Sequence, residues 1–298
     1  MKLVELRTFL EVANLKNFGK AANSLNYAHS SITAQIKSLE ENLGERLFIR
    51  DNKQVVITEA GKRLLLYARQ IIDLSREATE TVKNTPLLTG ELTIAAVETI
   101  STYRLPEILK LFKEKAPQVH ICFKVMGDQE LYDSIQSGTL DIGFMVEQKI
   151  NVRNVEVVKL CNEPVSLFAH PDHPLTTKKN LTTADLAEHF HLLWAMDCCY
   201  STVFNEIVRR ADSYSCMEFS NTETMKQCAL SGLGITTVTD ITVKKEVQSG
   251  ELSRLDFEMP KTFNSFMLWT KGRSISPVRE HFIKVVKDYF QLSSVDLH

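Results

Sequence analysis

Residues 26–50 read NYAHSSITAQIKSLEENLGERLFIR, and the fold of the N-terminal part turns on how they are read. Ile32, Ile36, Leu39 and Leu43 are spaced so that they share one stripe of a helix. The opposite face offers Ser30, Ser31, Thr33, Ala34, Lys37 and Ser38, which are small, mostly hydroxylated and carry one positive charge. Most exposed helix faces bear long charged side chains. A face this uncluttered is one that another molecule approaches closely.

The flanking residues say which kind of molecule. Leu6, Phe9, Leu10 and Ala13 mark a first amphipathic helix, and NFGKAANSLN a short second one with Phe18, Ala21, Ala22 and Leu25 inward. A break at Asn26–His29 precedes the quoted helix, with Ser30 as its expected N-cap. Two helices joined by a short turn, the second with a small polar outer face, describe a helix-turn-helix. Small residues let the backbone near the floor of the major groove, where hydroxyls reach base edges and Lys37 reaches a phosphate. Gly44 is the expected stop of the helix, and LFIRDNKQVVITEAG then alternates around the polar turn Asp51–Gln54. That alternation predicts a two-stranded wing whose tip carries Arg50 and Lys53. The competing reading, a solvated face in a helical bundle, accounts for neither the turn nor the wing.

Charge supports the same division. The 298 residues have a net charge of −2, but residues 1–76 hold 12 Lys/Arg against 8 Asp/Glu, so a basic head of +4 sits on a body of −6. With 44% hydrophobic and 24% charged residues the chain reads as a globular protein of two or three domains. It contains no apolar run long enough for a transmembrane helix, and MKLVELRTFLEV lacks the pattern of a signal peptide, so a cytoplasmic location is expected. The six cysteines then read as reduced thiols, with only the adjacent Cys198-Cys199 unusual.

Over about residues 1–65 these features resemble the LysR-type transcriptional regulators, a bacterial family. The resemblance rests on LRTFLEVANLKNFGKAANSLN, then S-x-I-T-x-Q-I-K-x-LEENLGERLF-x-R, then ITEAGKRLL. It implies that His29, Ser30, Ser31, Thr33 and Ala34 face bases, with Lys37, Arg50 and Lys53 near phosphates. The family often has Arg at the position of Ala34 and prolines near Ser30–Ser31. Without that Arg a bidentate guanine contact is lost, so sequence preference here leans more on DNA shape.

From Thr58, an expected cap, a helical pattern runs to Pro86 with Leu64, Ala68, Ile71, Ser75, Ala78 and Val82 as its stripe. Such length with so narrow a stripe suits pairing between subunits rather than burial in one domain. The resemblance implies the same: homodimers through this helix, and pairs of dimers forming homotetramers.

Beyond Gly90 short apolar runs alternate with helical ones: LTIAAVE, TYRLPEILKLFKEKAP, VHICFKVMG, QELYDSIQSG, LDIGFMV, then VSLFAHP through GLGITTVT, closed by SFMLWTK and PVREHFIKVVKDYF. This predicts parallel sheet covered by helices, in two lobes. The expected whole is an α+β multidomain chain. Residues 1–58 form a winged helix-turn-helix, 59–88 a dimerisation helix and 89–298 a two-lobed α/β body. Lobe I takes about 89–161 plus 267–298 and lobe II about 162–266. The body resembles the family's effector-binding domain, itself similar to periplasmic solute-binding proteins, through LP-x-IL-x-LF (Leu105–Phe112), G-x-LDIGF (Gly138–Phe144) and SGLGIT (Ser231–Thr236).

Ligands of such folds sit beyond strand ends, against helix N-termini. The candidates are Glu98, Ser101 and Thr102 in ETIST, Gly127 and Asp128 after the VHICFKVMG strand, Cys199 and Tyr200 in DCCYS, and Thr222 and Glu223 in SNTET. Taken singly, each Ser or Thr there is equally an N-cap. The two glutamates suit an amine-bearing or zwitterionic metabolite better than a pure anion. Some family relatives carry G-C-x-Y-R where this chain has Cys198-Cys199-Tyr200-Ser201, so the carboxylate-binding Arg is absent.

The reading is therefore a regulator that binds double-stranded DNA and is controlled by a small-molecule effector, with no cofactor and no catalysis. A thiol-based redox regulator using Cys198 and Cys199 is the alternative, weakened because adjacent cysteines bridge poorly. Metal binding by His189, His191, Cys198 and Cys199 matches no common spacing. An enzyme is disfavoured by the absence of G-x-S-x-G, H-E-x-x-H, P-loop and G-x-G-x-x-G motifs. A solute-binding protein without DNA function leaves residues 1–58 unexplained.

Overall fold

The computed structural model describes residues 1–51, 54–82, 88–194, 199, 202, 204, 215–271 and 276–293. Three helices open the chain: α1 (Leu3–Leu15), α2 (Phe18–Ser24) and α3 (His29–Leu43). Asn17 caps α2 by accepting the Lys20 N–H at 2.9 Å. The turn to α3 passes through Asn26 at φ 54°, a left-handed conformation that Asn tolerates. Here the expected cap is corrected. The backbone leaves the extended region at Ala28, so Ala28 is the N-cap, without a side-chain acceptor, and Ser30 already lies within the helix. Gly44, at φ 72°, ends α3 and donates its N–H to the Glu40 carbonyl.

Strands β1 (Phe48–Asp51) and β2 (Gln54–Ile57) pair antiparallel, with Phe48 opposite Ile57, and make the wing. Phe48 staples it to the helices, its ring centroid 5.3 Å from that of Phe9 and 5.9 Å from that of Phe18. Glu40 adds a polar tie by accepting the N–H groups of Leu47 (2.7 Å) and Phe48 (3.3 Å). Helix α4 (Glu59–Val82) follows, its first turn capped by Thr58, whose Oγ1 accepts the Gly61 N–H at 3.0 Å. Leu65 and Ala68 of α4 complete the core of Leu6, Phe9, Ile32, Ile36 and Leu39, with Leu64 and Ile71 packed against it, so the first half of the stripe expected to pair subunits is instead spent on its own domain. The continuation expected up to Pro86 lies outside the described residues from 83 onward.

The first lobe is a five-stranded sheet of order β4-β3-β5-β12-β6, built from β3 (Gly90–Ala96), β4 (Val119–Val125), β5 (Ile142–Glu147), β6 (Val155–Glu163) and β12 (Phe263–Thr270). Helices α6 (Leu105–Lys115) and α11 (Pro277–Ser293) cover one face, where Phe112 and Phe282 meet edge-on at 5.0 Å. Helix α7 (Asp128–Gln136) covers the other through Leu131 and Ile135. The stretch expected as one helix from Thr102 is broken at Arg104 into α5 (Glu98–Tyr103) and α6. Glu163, at 1% exposure, ends β6 and accepts from Arg104 Nε, from Ser265 Oγ of β12 (2.8 Å) and from the Cys161 thiol (3.4 Å).

The second lobe is a sheet of order β11-β7-β10-β8-β9, formed by β7 (Val165–Ala169), β8 (Phe190–Trp194), β9 (Ser215–Phe219), β10 (Ile235–Thr239) and β11 (Ser253–Arg254). Helix α8 (Thr183–Ala187) packs on one face through Leu186, and α9 (Thr222–Leu230) on the other through Met225 and Ala229, with the short α10 (Lys244–Ser249) near its edge. Two expectations shift. Neither sheet is purely parallel, because β12 runs against β5 and β6, and β7 against β10 and β11. Each of these is the first strand laid down after the chain crosses between lobes, and it arrives from the opposite direction. The crossings also fall elsewhere than expected: β6 runs on to Glu163 and β12 already starts at Phe263, so 162–163 and 263–266 belong to the first sheet.

Gly61 gives a direct test of how the wing meets α4. A Cβ there would stand 2.4 Å from the Leu47 carbonyl oxygen and 2.6 Å from Ile57 Cγ1, and neither is the loose end of a flexible chain. Gly61→Ala is expected to destabilise the N-terminal domain by about 2 kcal/mol, read as lost hydrogen-exchange protection in α3 and the wing of the full-length protein. Unchanged protection would show that the wing separates from α4 without cost.

Candidate nucleic-acid interface and effector cleft

On α3, Ile32, Ile36 and Leu39 are fully or almost fully buried, which turns His29, Ser30, Thr33, Ala34 and Lys37 outward and leaves Ser31 half-buried. Ser38, expected on the open face, is used for packing instead. Its hydroxyl donates to Glu5 Oε1 at 2.9 Å, and Gln35 accepts from Thr8, so α3 is tied to α1 by polar as well as apolar contacts. Burial alone would raise the Glu5 carboxyl, but the Lys2 N–H and the Ser38 hydroxyl hold it below its ordinary value. Glu5 therefore stays ionised at neutral pH, as its role of acceptor requires.

The outward residues are lightly engaged. Thr33 donates its hydroxyl to the His29 carbonyl at 3.0 Å, which leaves its methyl and lone pairs for a partner. Lys37 pairs with Glu41 at 3.6 Å, both well exposed, an interaction worth at most about 0.5 kcal/mol and readily exchanged for a phosphate. Arg50 lies in β1, though its side chain is outside what is described, and Lys53 falls outside the described residues altogether.

In the body, the ends of β3, β4 and β5 in one lobe and of β8 and β9 in the other face a cavity of about 580 Å³. That is ample for a metabolite. Glu98, Thr102, Gly127, Asp128 and Thr222 all line it, drawn together from three separate segments. Ser101 and Glu223 do not line it. The Ser101 hydroxyl turns back to the carbonyls of Val97 (2.9 Å) and Ala96 (3.2 Å), and Glu223 turns to Lys226 (2.9 Å) and Gln227 (2.9 Å). Cys199 sits behind the wall, its thiol donating to the Val146 carbonyl at 3.0 Å, and Tyr200 lies outside the described residues. Glu130 and Trp194 also line the cavity and were missed. Glu130 reads in sequence as an ordinary first-turn acid, and Trp194 as the end of a buried strand. Only the meeting of the lobes gives either a ligand-facing position.

Besides the Cys199–Val146 bond, two contacts from α5 to α9 cross between the lobes among the described residues. The Glu98 carboxylate, at the start of α5, accepts the backbone N–H of Thr222, the first residue of α9 in the opposite lobe, at 3.2 Å. The Lys226 ammonium lies 6.0 Å from the ring centre of Tyr103, also on α5. Lys226 is 6% exposed and bridges Glu223 and Glu246 (2.8 Å). Burial would lower its pKa, but the two carboxylates hold it well above the ordinary lysine range. The short α5 is thereby fastened to α9 at both ends.

Two of the described thiols, Cys161 and Cys122, give redox chemistry no foothold. Burial pushes the Cys161 thiol up to about 12 and Cys122 up to about 11, each with a neighbouring glutamate reinforcing the shift, so both stay protonated and unreactive at neutral pH. Cys198 lies outside the described residues. Among the described residues no group of three or more His, Cys, Asp or Glu is placed to hold a metal ion, and no helix is long and apolar enough to cross a membrane.

Residues 3–62 match the model of the bacterial regulatory helix-turn-helix of the lysR family, and residues 86–291 match the LysR substrate binding domain. The chain belongs to the LysR family. It is a DNA-binding transcriptional regulator with an effector-binding domain, and its relatives are regulators rather than enzymes. YwqM of Bacillus subtilis strain 168, an uncharacterized HTH-type transcriptional regulator, is 35% identical over 98% of this chain and 100% of its own. The RuBisCO operon transcriptional regulator of Allochromatium vinosum is 28% identical over 96% of this chain and 95% of its own. Among solved structures, full-length LysG from Corynebacterium glutamicum with bound effector Arg superposes with a TM-score of 0.71 at 19% identity, covering 98% of this chain and 99% of that one. A variant of full-length OxyR from Pseudomonas aeruginosa gives 0.76 at 23% identity, covering 98% and 95%. At such identities the likeness is one of fold. The thiol-based alternative is not favoured for this LysR-family protein.

Lys226→Ala would leave Glu246, only 17% exposed, without its cation. Since Glu223 is half exposed, the expected loss is about 2–3 kcal/mol rather than the full cost of a buried orphan charge, seen as a lower urea midpoint for lobe II. A midpoint that does not move would mean that this bridge contributes nothing to holding α9.

Proposed function

We propose that residues 1–58 of this LysR-family regulator read DNA through the open face of α3. On this reading His29, Ser30, Ser31, Thr33 and Ala34 approach bases, while Lys37, Arg50 and Lys53 meet phosphates. The single observation that carries it is the burial of Ile32, Ile36 and Leu39 together with the ties of Gln35 and Ser38 to α1, which leave the opposite face exposed and rigid. The protein is cytoplasmic and has no catalytic role. Residues 59–88 dimerise it, and dimers pair into tetramers. What supports dimerisation is that Tyr67 (62% exposed) and Leu74 (58%) lie seven residues apart on the face of α4 turned away from its own core. Two copies so joined present two recognition helices to half-sites about one DNA turn apart.

The body, residues 89–298, binds a small effector in the cleft between the lobes, and Glu98, Thr102, Gly127, Asp128 and Thr222 are the contacts we assign. An effector that prefers one lobe arrangement stabilises the head spacing that goes with it. The cleft is favoured over other surfaces because the two lobes already meet across it through the Glu98–Thr222 bond.

Selection of genomic fragments by the purified protein at two salt concentrations tests the DNA reading. A shared dyad-symmetric site that survives the higher salt is expected, whereas fragments without a common site, lost on raising salt, would reduce it to electrostatic attraction. Thr33→Ala is expected to weaken binding to that site by about 1 kcal/mol and to relax base preference. Lys37→Ala should weaken all sequences alike and lower the salt slope by about one ion. Equal losses on every sequence for both variants would displace α3 from the groove.

A further inference from the structure

The cleft's own charges specify what it accepts, if it is the effector site proposed above. In two-lobed folds an anionic ligand is ordinarily seated on bare helix N-termini. Here each such terminus among the described residues is already supplied with a carboxylate. Glu98 is the first residue of α5. Asp128 and Glu130 stand in the first turn of α7. The first N–H of α9, the most evident seat for an anion, donates to Glu98 from across the cleft, while Asn221 caps the Thr224 N–H of the same helix at 2.8 Å. Glu98, Asp128 and Glu130 line one cavity, and among its described lining residues there is no Lys, Arg or His. Trp194 contributes an aromatic residue to the same lining. A ligand carboxylate would therefore meet like charge and filled seats. An ammonium or guanidinium would meet three carboxylates and an aromatic neighbour.

We propose that the cleft recognises a small ligand through a positively charged nitrogen, held by the carboxylates of Glu98, Asp128 and Glu130 beside the indole of Trp194. The same cation draws Glu98 toward the ligand and so acts on the bond that joins α5 to α9. Charge recognition and lobe arrangement are thus carried by one side chain.

The test uses the full-length protein, with calorimetry and thermal melting at an ionic strength held constant with NaCl. The probes are 1,4-diaminobutane and butylammonium on one side, butyrate and succinate on the other. Both cations are expected to bind at millimolar concentration and to raise the Tm, and both anions to do neither. Glu98→Gln keeps an oxygen for the Thr222 N–H but removes the charge, and with Asp128→Asn it should weaken cation binding about tenfold. Thr102→Trp, which fills the cleft without altering a charge, should abolish it. Should that variant misfold, Thr102→Lys places an ammonium in the cleft and is expected to raise the Tm of the unliganded protein while blocking the diamine. Anion binding that Thr102→Trp abolishes would leave the cleft as the effector site and overturn the charge class. Cation binding that persists undiminished in Thr102→Trp and Glu98→Gln would remove the ligand from the cleft altogether. Failure of both cations to bind would likewise overturn the proposal.

Discussion

The buried carboxylate of Glu163 is the point on which the two-lobed body depends. It lies at the end of β6, where the chain leaves the first lobe, and accepts from Ser265 on β12, by which the chain returns. Its third partner besides Cys161 is Arg104, the residue at which the helical stretch breaks into α5 and α6. One side chain thus joins both crossings to the helix that lines the cleft. A carboxylate this buried is tolerable only with its donors in place, because an ionised group deprived of its partner in such a setting costs several kcal/mol. The angle between lobes and the position of α5 are therefore not independent.

From that fixed point the cleft follows. Helix α5 is held from behind by Arg104 and from across the gap by Glu98 and Tyr103, so a change in the cavity reaches both lobes through six residues. The polar atoms best placed to greet a ligand are carboxylates that also serve helix N-termini. Their dual use gives the site a sign, which is a coarser property than specificity but harder to alter by substituting a wall residue.

Helix α3, which we propose faces DNA, obeys the same economy of roles. Its inward stripe buries three aliphatic side chains, its flank spends Ser38 and Gln35 on α1, and what is left over is the face we propose to read DNA. Thr33 satisfies its own hydroxyl proton internally, so at a base edge it offers an acceptor and a methyl group rather than a donor. With Ala34 beside it, the middle of the face is short and apolar, which favours close backbone approach and places more weight on the shape of the DNA.

Much of this was legible in the residues. The stripe of α3 as far as Leu39, the stop at Gly44, the wing and most strands and helices of the body follow from periodicity and turn chemistry, which act over a few neighbours; Leu43, expected in the stripe, is exposed, and β6 was not expected. The helix of 59–82 follows for the same reason. Other features were not legible, because they depend on residues far apart in the chain. Ser30 looked like a cap, yet the backbone enters the helix at Ala28. The direction of β7 and β12 depends on where the chain crosses between lobes, which no local pattern records. Ser101 and Thr102 are adjacent and alike in sequence, but only the packing of α5 turns one to its own backbone and the other into the cleft. Glu98 and Thr222 are 124 positions apart. Nothing near either announces the other, so their bond, and the charge of the site around it, is decided by the tertiary structure alone.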